Sequence, residues 1–410
     1  MRTDLERLMA ERNLQAIFVT GGEQENTPRA YVSNGIDIHG GMNVIKRGAA
    51  PVLIVGGMEL EEAAKSGLQV VNYADLGYPE ILKEVEGSGA RACVKLYGKI
   101  FEKFKIPPGK IGLFGVGEIH TWLQRFKMLS AAYPQYEFVG EADMTLFDEA
   151  YQTKDSAEVK MILDVAAQTQ LTLQATWDFI ASHRAQGTAV VKPDGTALTV
   201  GDVKRFVIRD LMDRGLEDTG MIFAHGHDCT YPHSRGTASM ALQTGVPIIF
   251  DLFPRTMGGG YYHDCTRTWC IGHAPAAVRE IFEQVKTAFE TAVKAFKGPG
   301  QKCHTLQDAV LDYFESKGHQ TQRSHPGTTV GYVHGLGHGV GLNIHERPGM
   351  SHLLKEDTFQ AGNFITIEPG LYYPEKTVGA RIEDSFLIDE TGRLVSITPF
   401  TKDLVLPLKG

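Results

Sequence analysis

The segment 334–349, HGLGHGVGLNIHERPG, is rich in two residue types that favour neither a stable helix nor a stable strand here. Three of its residues are histidines, and four closely spaced glycines lie among them. Glycine lets the backbone turn sharply and approach a bound group closely. Histidine binds metals and transfers protons near neutral pH. We therefore interpret this segment as one that serves chemistry rather than regular secondary structure.

Length and composition describe an ordinary soluble protein. The 410 residues are enough for two or three domains, and 42% hydrophobic with 22% charged residues is usual for a globular chain. A net charge of -8 argues against a nucleic-acid partner. No apolar run is long enough for a membrane span, and the charged start MRTDLERLMAERN is unlike a signal peptide. Five scattered cysteines without a CxxC pair fit reduced thiols, so we expect a cytoplasmic location.

Residues 1–150 alternate between helical and strand-like patterns. Such alternation predicts an α/β layer domain. The predicted elements are helices at 4–13, 58–66, 79–104 and 118–130, and strands at 15–20, 51–56, 69–73, 111–115 and 136–139.

A second domain, 151–410, is predicted to begin with a long helix. Asp155 and Glu158 have the spacing of a capping box, and a helical pattern follows to about residue 184. Further helices are expected at 201–215, 275–297 and 304–317, and strands at 221–225, 246–253, 261–271, 363–369, 381–388 and 394–398. Short strands separated by turns and long connections predict an α+β domain with a curved antiparallel sheet.

Four carboxylates of the second domain are embedded in apolar, strand-like runs: Asp251, Asp264, Glu368 and Glu383. A buried carboxylate without a partner is very costly, so such groups need a cation. Together with His338 they provide ligands for two metals. Paired metals lower the pKa of a shared water and polarise a scissile carbonyl. The five residues therefore predict a two-metal hydrolase.

A simpler interpretation exists for each acid taken alone. A single carboxylate at a strand end is commonly solvent-facing or salt-bridged. Arg381 stands two residues before Glu383, on the same strand face, and could pair with it. The joint pattern of four embedded acids and a glycine-flanked histidine favours metals. An acid salt-bridged in place of an ion would argue against them.

The motifs DLF…HDCTRT, GLGHGVGLNIHERPG, TIEPGLY and RIEDSF make the chain resemble the pita-bread metallopeptidases. That family includes Xaa-Pro aminopeptidase, prolidase, methionine aminopeptidase and the metal-free creatinase. The resemblance covers nearly the whole chain. It implies a creatinase-type N-terminal domain over 1–150 and a pita-bread catalytic domain over 151–410.

The resemblance also implies metal-binding roles. Asp251 would bind one metal, Asp264 and Glu383 would bridge both, and His338 and Glu368 would complete the second site. One departure concerns spacing, since Asp264 follows Asp251 by 13 residues, two more than is usual in the family. We expect a looser hairpin at 257–260, MGGG, to absorb the difference without shifting strand register.

Three histidines and an arginine would surround the metals in a protein of this kind. By resemblance, His233 and His345 would stabilise the tetrahedral intermediate or contact the scissile amide. His334 and Arg381 would shape the substrate site. The alternative for each histidine is a structural role with a backbone hydrogen bond. Glu368 is the predicted general base or proton shuttle.

The function implied is that of a metal-dependent exopeptidase hydrolysing Xaa-Pro bonds of peptides or dipeptides through a metal-bridging hydroxide. Its one histidine and four carboxylates suit Mn, Co, Fe or Zn. By resemblance a homodimer is expected. Dipeptides and longer peptides both stay open as substrates. A dipeptidase needs a group for the C-terminal carboxylate, and Arg347 does not stand at the offset expected for prolidases.

Two alternatives come from other functional classes. One is a creatinase-like hydrolase of a small non-peptide C–N compound, which would not need the five-residue ligand set. The other is a non-catalytic pita-bread protein that binds a partner. Such proteins lose ligands, whereas this sequence retains all five.

Overall fold

The computed structural model describes residues 4–21 and 25–408. The chain forms two compact domains, one ending at Ala150 and one beginning at Tyr151. Within the described residues, no helix has both the length and the apolar character needed to cross a bilayer.

The N-terminal domain is built on a six-stranded sheet in the order β4-β3-β2-β1-β5-β6. The strands are β1 (Leu14–Gly21), β2 (Gly41–Lys46), β3 (Val52–Val55), β4 (Gln69–Asn72), β5 (Gly109–Gly115) and β6 (Tyr136–Val139). The helices are α1 (Asp4–Glu11), α2 (Thr27–Val32), α3 (Leu60–Ala64), α4 (Tyr78–Glu84), α5 (Gly89–Lys103), α6 (Ile119–Ala132) and α7 (Leu146–Tyr151). Apolar residues of the strands and of α5 form the core, among them Phe18, Ile54, Tyr97 and Ile111.

Several features of this domain differ from the sequence prediction. Strand β2 and helices α2 and α7 were not predicted. The single helix predicted over 79–104 is two helices, α4 and α5. The chain breaks between them because Glu86 and Gly87 have φ of 53° and 77°, a left-handed conformation that ends a helix.

The second domain begins with the predicted capping box. The side chain of Asp155 accepts a hydrogen bond from the backbone N–H of Glu158, and the side chain of Glu158 accepts one from the backbone N–H of Asp155. Its helices are α8 (Ser156–Ala181), α9 (Val200–Asp213), α10 (Ala276–Ala295) and α11 (His304–Ser316). Its strands are β7 (Arg184–Gln186), β8 (Ala189–Val191), β9 (Leu216–Glu217), β10 (Ile222–His225), β11 (Pro247–Leu252), β12 (Arg255–Thr256), β13 (Cys265–Ile271), β14 (Gly337–Gly339), β15 (Glu346–Met350), β16 (Phe364–Ile367), β17 (Gly370–Tyr373), β18 (Val378–Arg381), β19 (Asp384–Ile388), β20 (Leu394–Ser396) and β21 (Val405–Leu406).

Two larger sheets carry this domain, β10-β11-β13-β21 and β15-β14-β16-β19-β20. A bridge between Thr266 of β13 and Glu383, the residue before β19, joins the two sheets. All pairings are antiparallel except that of β13 with β21. The predicted antiparallel sheet is therefore present as two joined sheets.

Each sheet buries one face under a pair of helices. Helices α8 and α9 share a core with β10, β11 and β13, which includes Phe250 and Trp269. Helices α10 and α11 share a second core with β16 and β19, which includes Ile365 and Ile367. Because side chains alternate along a strand, the residues between these apolar positions point to the opposite faces.

The segment 334–349 contains more regular structure than the sequence indicated, since strands β14 and β15 lie within it. The glycines permit this pairing. A Cβ on Gly337 would overlap the carbonyl oxygen of Thr366, and one on Gly339 would overlap that of Arg347. Glycine is thus needed here for close approach of strands as well as for turning.

Candidate metal centre

One cavity of about 600 Å³ in the second domain brings together every predicted site residue. Its lining includes the five predicted metal ligands and the four surrounding residues: His233, Asp251, Asp264, His334, His338, His345, Glu368, Arg381 and Glu383. These positions span 150 residues of sequence, from 233 to 383, so the fold rather than local sequence assembles them.

The strand alternation explains why the acids face the cavity. In β11, Phe250 and Leu252 belong to the core under α8 and α9, and Asp251 lies between them. Ile367, at the end of β16, and Ile382, between β18 and β19, belong to the core under α10 and α11. Each precedes an acid, Glu368 or Glu383. The two sheets therefore turn their acidic positions towards one space.

Three of the predicted ligands are close enough to hold one ion. Ligand atoms of Asp264, His338 and Glu383 all lie within 4.8 Å of one another. The Oδ1 atoms of Asp251 and Asp264 are buried and have no hydrogen-bond partner among the described residues. Buried carboxylate oxygens of this kind require a cation or a proton. The residues present therefore fit a divalent metal.

The His338 ring is oriented as a ligand should be. Its Nδ1 lies 3.0 Å from the carbonyl oxygen of Gly339 and donates to it, which leaves Nε2 directed at the acids. Nε2 lies 3.3 Å from Oε1 of Glu368 and 3.7 Å from Oδ2 of Asp264. Burial alone would lower the pKa of His338, but the hydrogen bond and charge of Glu368 raise it to about 9.

The carboxylates respond oppositely to this crowding. Burial raises the pKa of Glu368, but the hydrogen bond and charge of His338, together with the charges of His334 and Arg381, outweigh burial and bring the pKa to about 2. For Asp264 and Glu383, burial and the neighbouring carboxylates hold the pKa well above its ordinary value. Burial and crowding thus disfavour the ionised forms of these two acids. A divalent metal would favour the ionised forms instead.

Arg381 forms an ion pair, although not with the partner considered from the sequence. Its Nη2 donates to Oδ2 of Asp251 at 2.6 Å, and its Nη1 donates to the hydroxyl of Tyr372 at 2.8 Å. Asp251 therefore has one oxygen in a salt bridge and the other, Oδ1, buried without a hydrogen-bond partner. The salt-bridge alternative therefore applies to Oδ2 of Asp251, and Oδ1 is available to an ion.

The three accessory histidines differ in their surroundings. Nδ1 of His334 donates to the carbonyl oxygen of Gly335 at 2.7 Å, and its Nε2 lies 2.9 Å from the hydroxyl of Tyr372. Burial lowers the pKa of His334. His345 packs edge-on against His338 at a centroid distance of 4.4 Å, and burial lowers its pKa as well. His233 is exposed and lines the same cavity.

The longer spacing between Asp251 and Asp264 is accommodated in a hairpin. Pairing of β11 with β13 continues without a shift to Leu252 opposite Cys265. Beyond it, β12 pairs with β9, and the chain turns at 258–260, where all three glycines have positive φ. The two acids that line the cavity, Asp251 and Asp264, thus keep their places at the end of one ladder.

Several residues that contact the site were not identified from the sequence. Thr266 donates to Oε2 of Glu383 at 2.7 Å, and Thr366 donates to Oε1 of Glu368 at 3.3 Å. The sequence signal that could have identified both threonines is their alternation with buried residues along their strands. Arg347 lies outside the cavity lining and pairs with Asp357 at 2.9 Å.

Comparisons with known proteins identify the family of this chain. The profile of metallopeptidase family M24 matches residues 174–390. The Xaa-Pro dipeptidase of Pyrococcus furiosus is 38% identical over 172 residues, which are 42% of this chain and 45% of that protein. The Xaa-Pro dipeptidase of Lactobacillus helveticus is 27% identical over 303 residues, 71% of this chain and 74% of that protein.

A solved structure shares the fold of this protein over nearly the whole of both chains. The X-Pro aminopeptidase from Thermotoga maritima superposes with a TM-score of 0.74 at 21% identity, covering 97% of this chain and 99% of that chain. The predicted fold, an α/β N-terminal domain followed by an α+β pita-bread domain, is confirmed by this likeness. In sequence, the match spans less than half of the Pyrococcus dipeptidase.

Proposed function

Because this chain belongs to metallopeptidase family M24, we propose that it is a metal-dependent exopeptidase that hydrolyses Xaa-Pro bonds of peptides or dipeptides. The observation that carries the proposal is the single cavity in which four acids and His338 meet, with buried oxygens of Asp251 and Asp264 lacking partners. The names of the relatives, Xaa-Pro dipeptidase and X-Pro aminopeptidase, support the choice of bond.

We propose two divalent metal ions, drawn from Mn, Co, Fe or Zn. Asp251 would hold one, Asp264 and Glu383 would be shared between both, and His338 and Glu368 would complete the second. When bound, such a pair lowers the pKa of water and polarises the scissile carbonyl.

The chain's own residues would move the proton and hold the substrate. Glu368 would accept a proton from the attacking water and return it to the proline nitrogen. His345 and His233 would donate to the developing oxyanion or to the scissile bond. Arg381 and His334, joined through the Tyr372 hydroxyl, would hold Asp251 and one wall of the substrate site in place.

The test is hydrolysis of a substrate panel by metal-stripped protein to which Mn, Co, Fe or Zn is returned. The panel contains Xaa-Pro dipeptides, Xaa-Pro-Yaa tripeptides, Met-Ala-Ser and creatine. We expect cleavage of the Xaa-Pro substrates only after metal is restored. Cleavage of creatine without metal would favour the creatinase-like alternative. Inactivity on all substrates with every metal would refute the proposal.

We also propose that the protein is a cytoplasmic homodimer. Its five cysteines are free thiols, four of them buried, as in a reducing compartment. Dimerisation rests on the family resemblance. Sedimentation equilibrium at micromolar concentration would distinguish a dimer from a monomer.

A further inference from the structure

Arg235 is a cavity residue to which neither the metals nor the proton transfer assigns a role. Among the described residues, two arginines and no lysine line the cavity. Arg381 is committed to Asp251, whereas Arg235 makes no ion pair with a carboxylate in the described part of the chain. We propose that Arg235 binds the C-terminal carboxylate of the substrate, which makes the enzyme a dipeptidase. This inference rests on the proposed function.

The guanidinium of Arg235 is held in place by backbone contacts. Its Nη1 donates to the carbonyl oxygen of Gly220 at 2.8 Å. A Cβ on Gly220 would overlap that same guanidinium, so glycine is required for the side chain to lie there. Lys204 donates from Nζ to the Arg235 carbonyl oxygen at 2.6 Å and fixes the backbone. An anchor held in this way loses little conformational entropy when a ligand binds.

The donors that remain suit a carboxylate. A guanidinium carries five N–H donors, and the bond to Gly220 uses one of them. Its planar arrangement allows two parallel hydrogen bonds to the two oxygens of a carboxylate. Arg235 is exposed to solvent and therefore accessible to a ligand.

Arg235 also lines the cavity in which a dipeptide would bind. In an Xaa-Pro dipeptide, the carboxylate belongs to the residue immediately after the scissile bond, so its anchor must lie in the same cavity as the metal-binding acids. Arg235 meets this condition. Arg347 does not, since it lies outside the lining and its Nη1 pairs with Asp357. In a longer peptide an amide would replace the carboxylate and the charge pairing would be lost.

The experiment compares kcat/KM for Ala-Pro, Ala-Pro amide and Ala-Pro-Ala with metal-loaded enzyme. We expect the wild type to prefer the free acid over the amide by at least about tenfold, because hydrogen bonds to charged groups are the stronger kind. In Arg235→Gln this acid-to-amide ratio should fall to within about threefold of one. Arg235→Lys keeps the charge without the fork and should give an intermediate ratio.

Three controls distinguish binding of the C-terminal carboxylate from binding of an acidic side chain and from general effects of substitution. Arg184→Gln changes an exposed arginine of the same domain outside the cavity lining, and it should retain the wild-type ratio. Glu-Pro amide against Ala-Pro amide tests whether Arg235 instead binds an acidic side chain. Inhibition by L-proline against L-prolinamide measures binding alone, and only the former should weaken in Arg235→Gln.

Each outcome decides the assignment. A wild-type enzyme that cleaves acid and amide equally well, or an Arg235→Gln variant that keeps the preference, overturns it. A change confined to the Glu-Pro amide arm also overturns it, since Arg235 would then bind a side chain. Failure of the wild type on all Xaa-Pro substrates would instead overturn the proposed peptidase function.

Discussion

Asp251 forms a salt bridge through one carboxylate oxygen and leaves the other for the metal that we propose. Its Oδ2 receives the 2.6 Å hydrogen bond from Arg381, and its Oδ1 is buried without a hydrogen-bond partner. Burial raises the pKa of Asp251, while the charge of Arg381 opposes that rise. The arginine therefore favours the ionised form that a metal requires and leaves one oxygen free to bind it.

At the same scale, replacing Glu368 tests its proposed role in proton transfer. We expect Glu368→Ala to abolish turnover and Glu368→Gln to lower kcat by about a hundredfold or more, because the amide cannot accept the proton. Steady-state kinetics on the best Xaa-Pro substrate provide the measurement. Glu375→Gln, an exposed glutamate nearby in sequence, should leave kcat unchanged. Near-wild-type kinetics in purified Glu368→Ala would refute the assignment.

A buried ion pair beside His345 permits a stability test. Nζ of Lys154 lies 2.7 Å from Oε2 of Glu346, and each side chain is only 2% exposed. Lys154→Met leaves Glu346 buried without its cation and should lower the free energy of unfolding by about 3 kcal/mol. Urea denaturation would measure the loss.

The matched control for this pair is Lys160→Met. The Lys160 side chain is 75% exposed in its pair with Asp164, so its removal should cost no more than about 0.5 kcal/mol. The double variant Lys154→Met with Glu346→Gln should recover part of the lost stability, since no buried charge then stays unpaired. Equal losses in the two lysine variants would contradict the argument.

At the scale of elements, close strand approach aligns His338 with Glu368. Gly337 contacts the backbone of Thr366 so closely that a Cβ would overlap its carbonyl oxygen. Gly337→Ala should separate β14 from β16 and lower kcat/KM by about tenfold or more, since small misplacements at a site are costly. In Gly335→Ala the added Cβ would meet the Met350 carbonyl oxygen at 3.2 Å, a milder contact. Similar kinetics for both variants would contradict this explanation.

The end of β10 carries a buried histidine that predicts acid sensitivity. Burial lowers the pKa of His225 from 6.5 to about 4. The unfolded chain therefore binds a proton that the folded chain does not between these values. Stability is full above about pH 6.5 and falls as the pH decreases towards 4. At pH 5 the loss from this one group amounts to about 2 kcal/mol.

Replacing the histidine should flatten this pH dependence. Between pH 7.5 and 5, His225→Gln should lose about 2 kcal/mol less of its free energy of unfolding than the wild type. His227→Gln, which changes an exposed histidine two residues away, should keep the wild-type slope. Chemical denaturation at the two pH values gives the slopes, and identical slopes in all three proteins would exclude His225 as the cause.

The elements themselves show what local sequence could predict. The capping box at Asp155 marked the start of α8, and periodicity gave its length within a few residues. Strand β2 was missed because its sequence, GMNVIK, contains a glycine and an asparagine. Asn43 is tolerated in the buried strand because its Nδ2 donates to Oγ of Ser33 at 3.0 Å, a tertiary contact that propensity does not express.

At the scale of the whole molecule, the chemistry of the candidate site was easier to predict than its connections. The nine side chains could be chosen from motifs, and they line one cavity. The ion pair of Arg381 with Asp251 joins residues 130 positions apart in sequence. The sequence offered Glu383 as a partner for Arg381, because residues two apart lie on the same face of a strand. Only the meeting of the two sheets determines which acid the guanidinium reaches.

The proposed metal ligands all belong to the second domain, so we expect the effect of metal removal there. A cation bound by Asp264, His338 and Glu383 would connect β13, β14 and the segment between β18 and β19. Burial raises the pKa of Asp264 and of Glu383, and the cation would favour the ionised form of both acids. Returning metal to stripped protein should therefore slow amide hydrogen exchange at 247–271, 337–350 and 364–388 by stabilising these strands. The strands β1 to β6 should exchange as before. Exchange measured by mass spectrometry would test this, with Asp264→Asn as the variant that should lose the response. Equal slowing in both domains, or slowing in Asp264→Asn, would place the ion elsewhere.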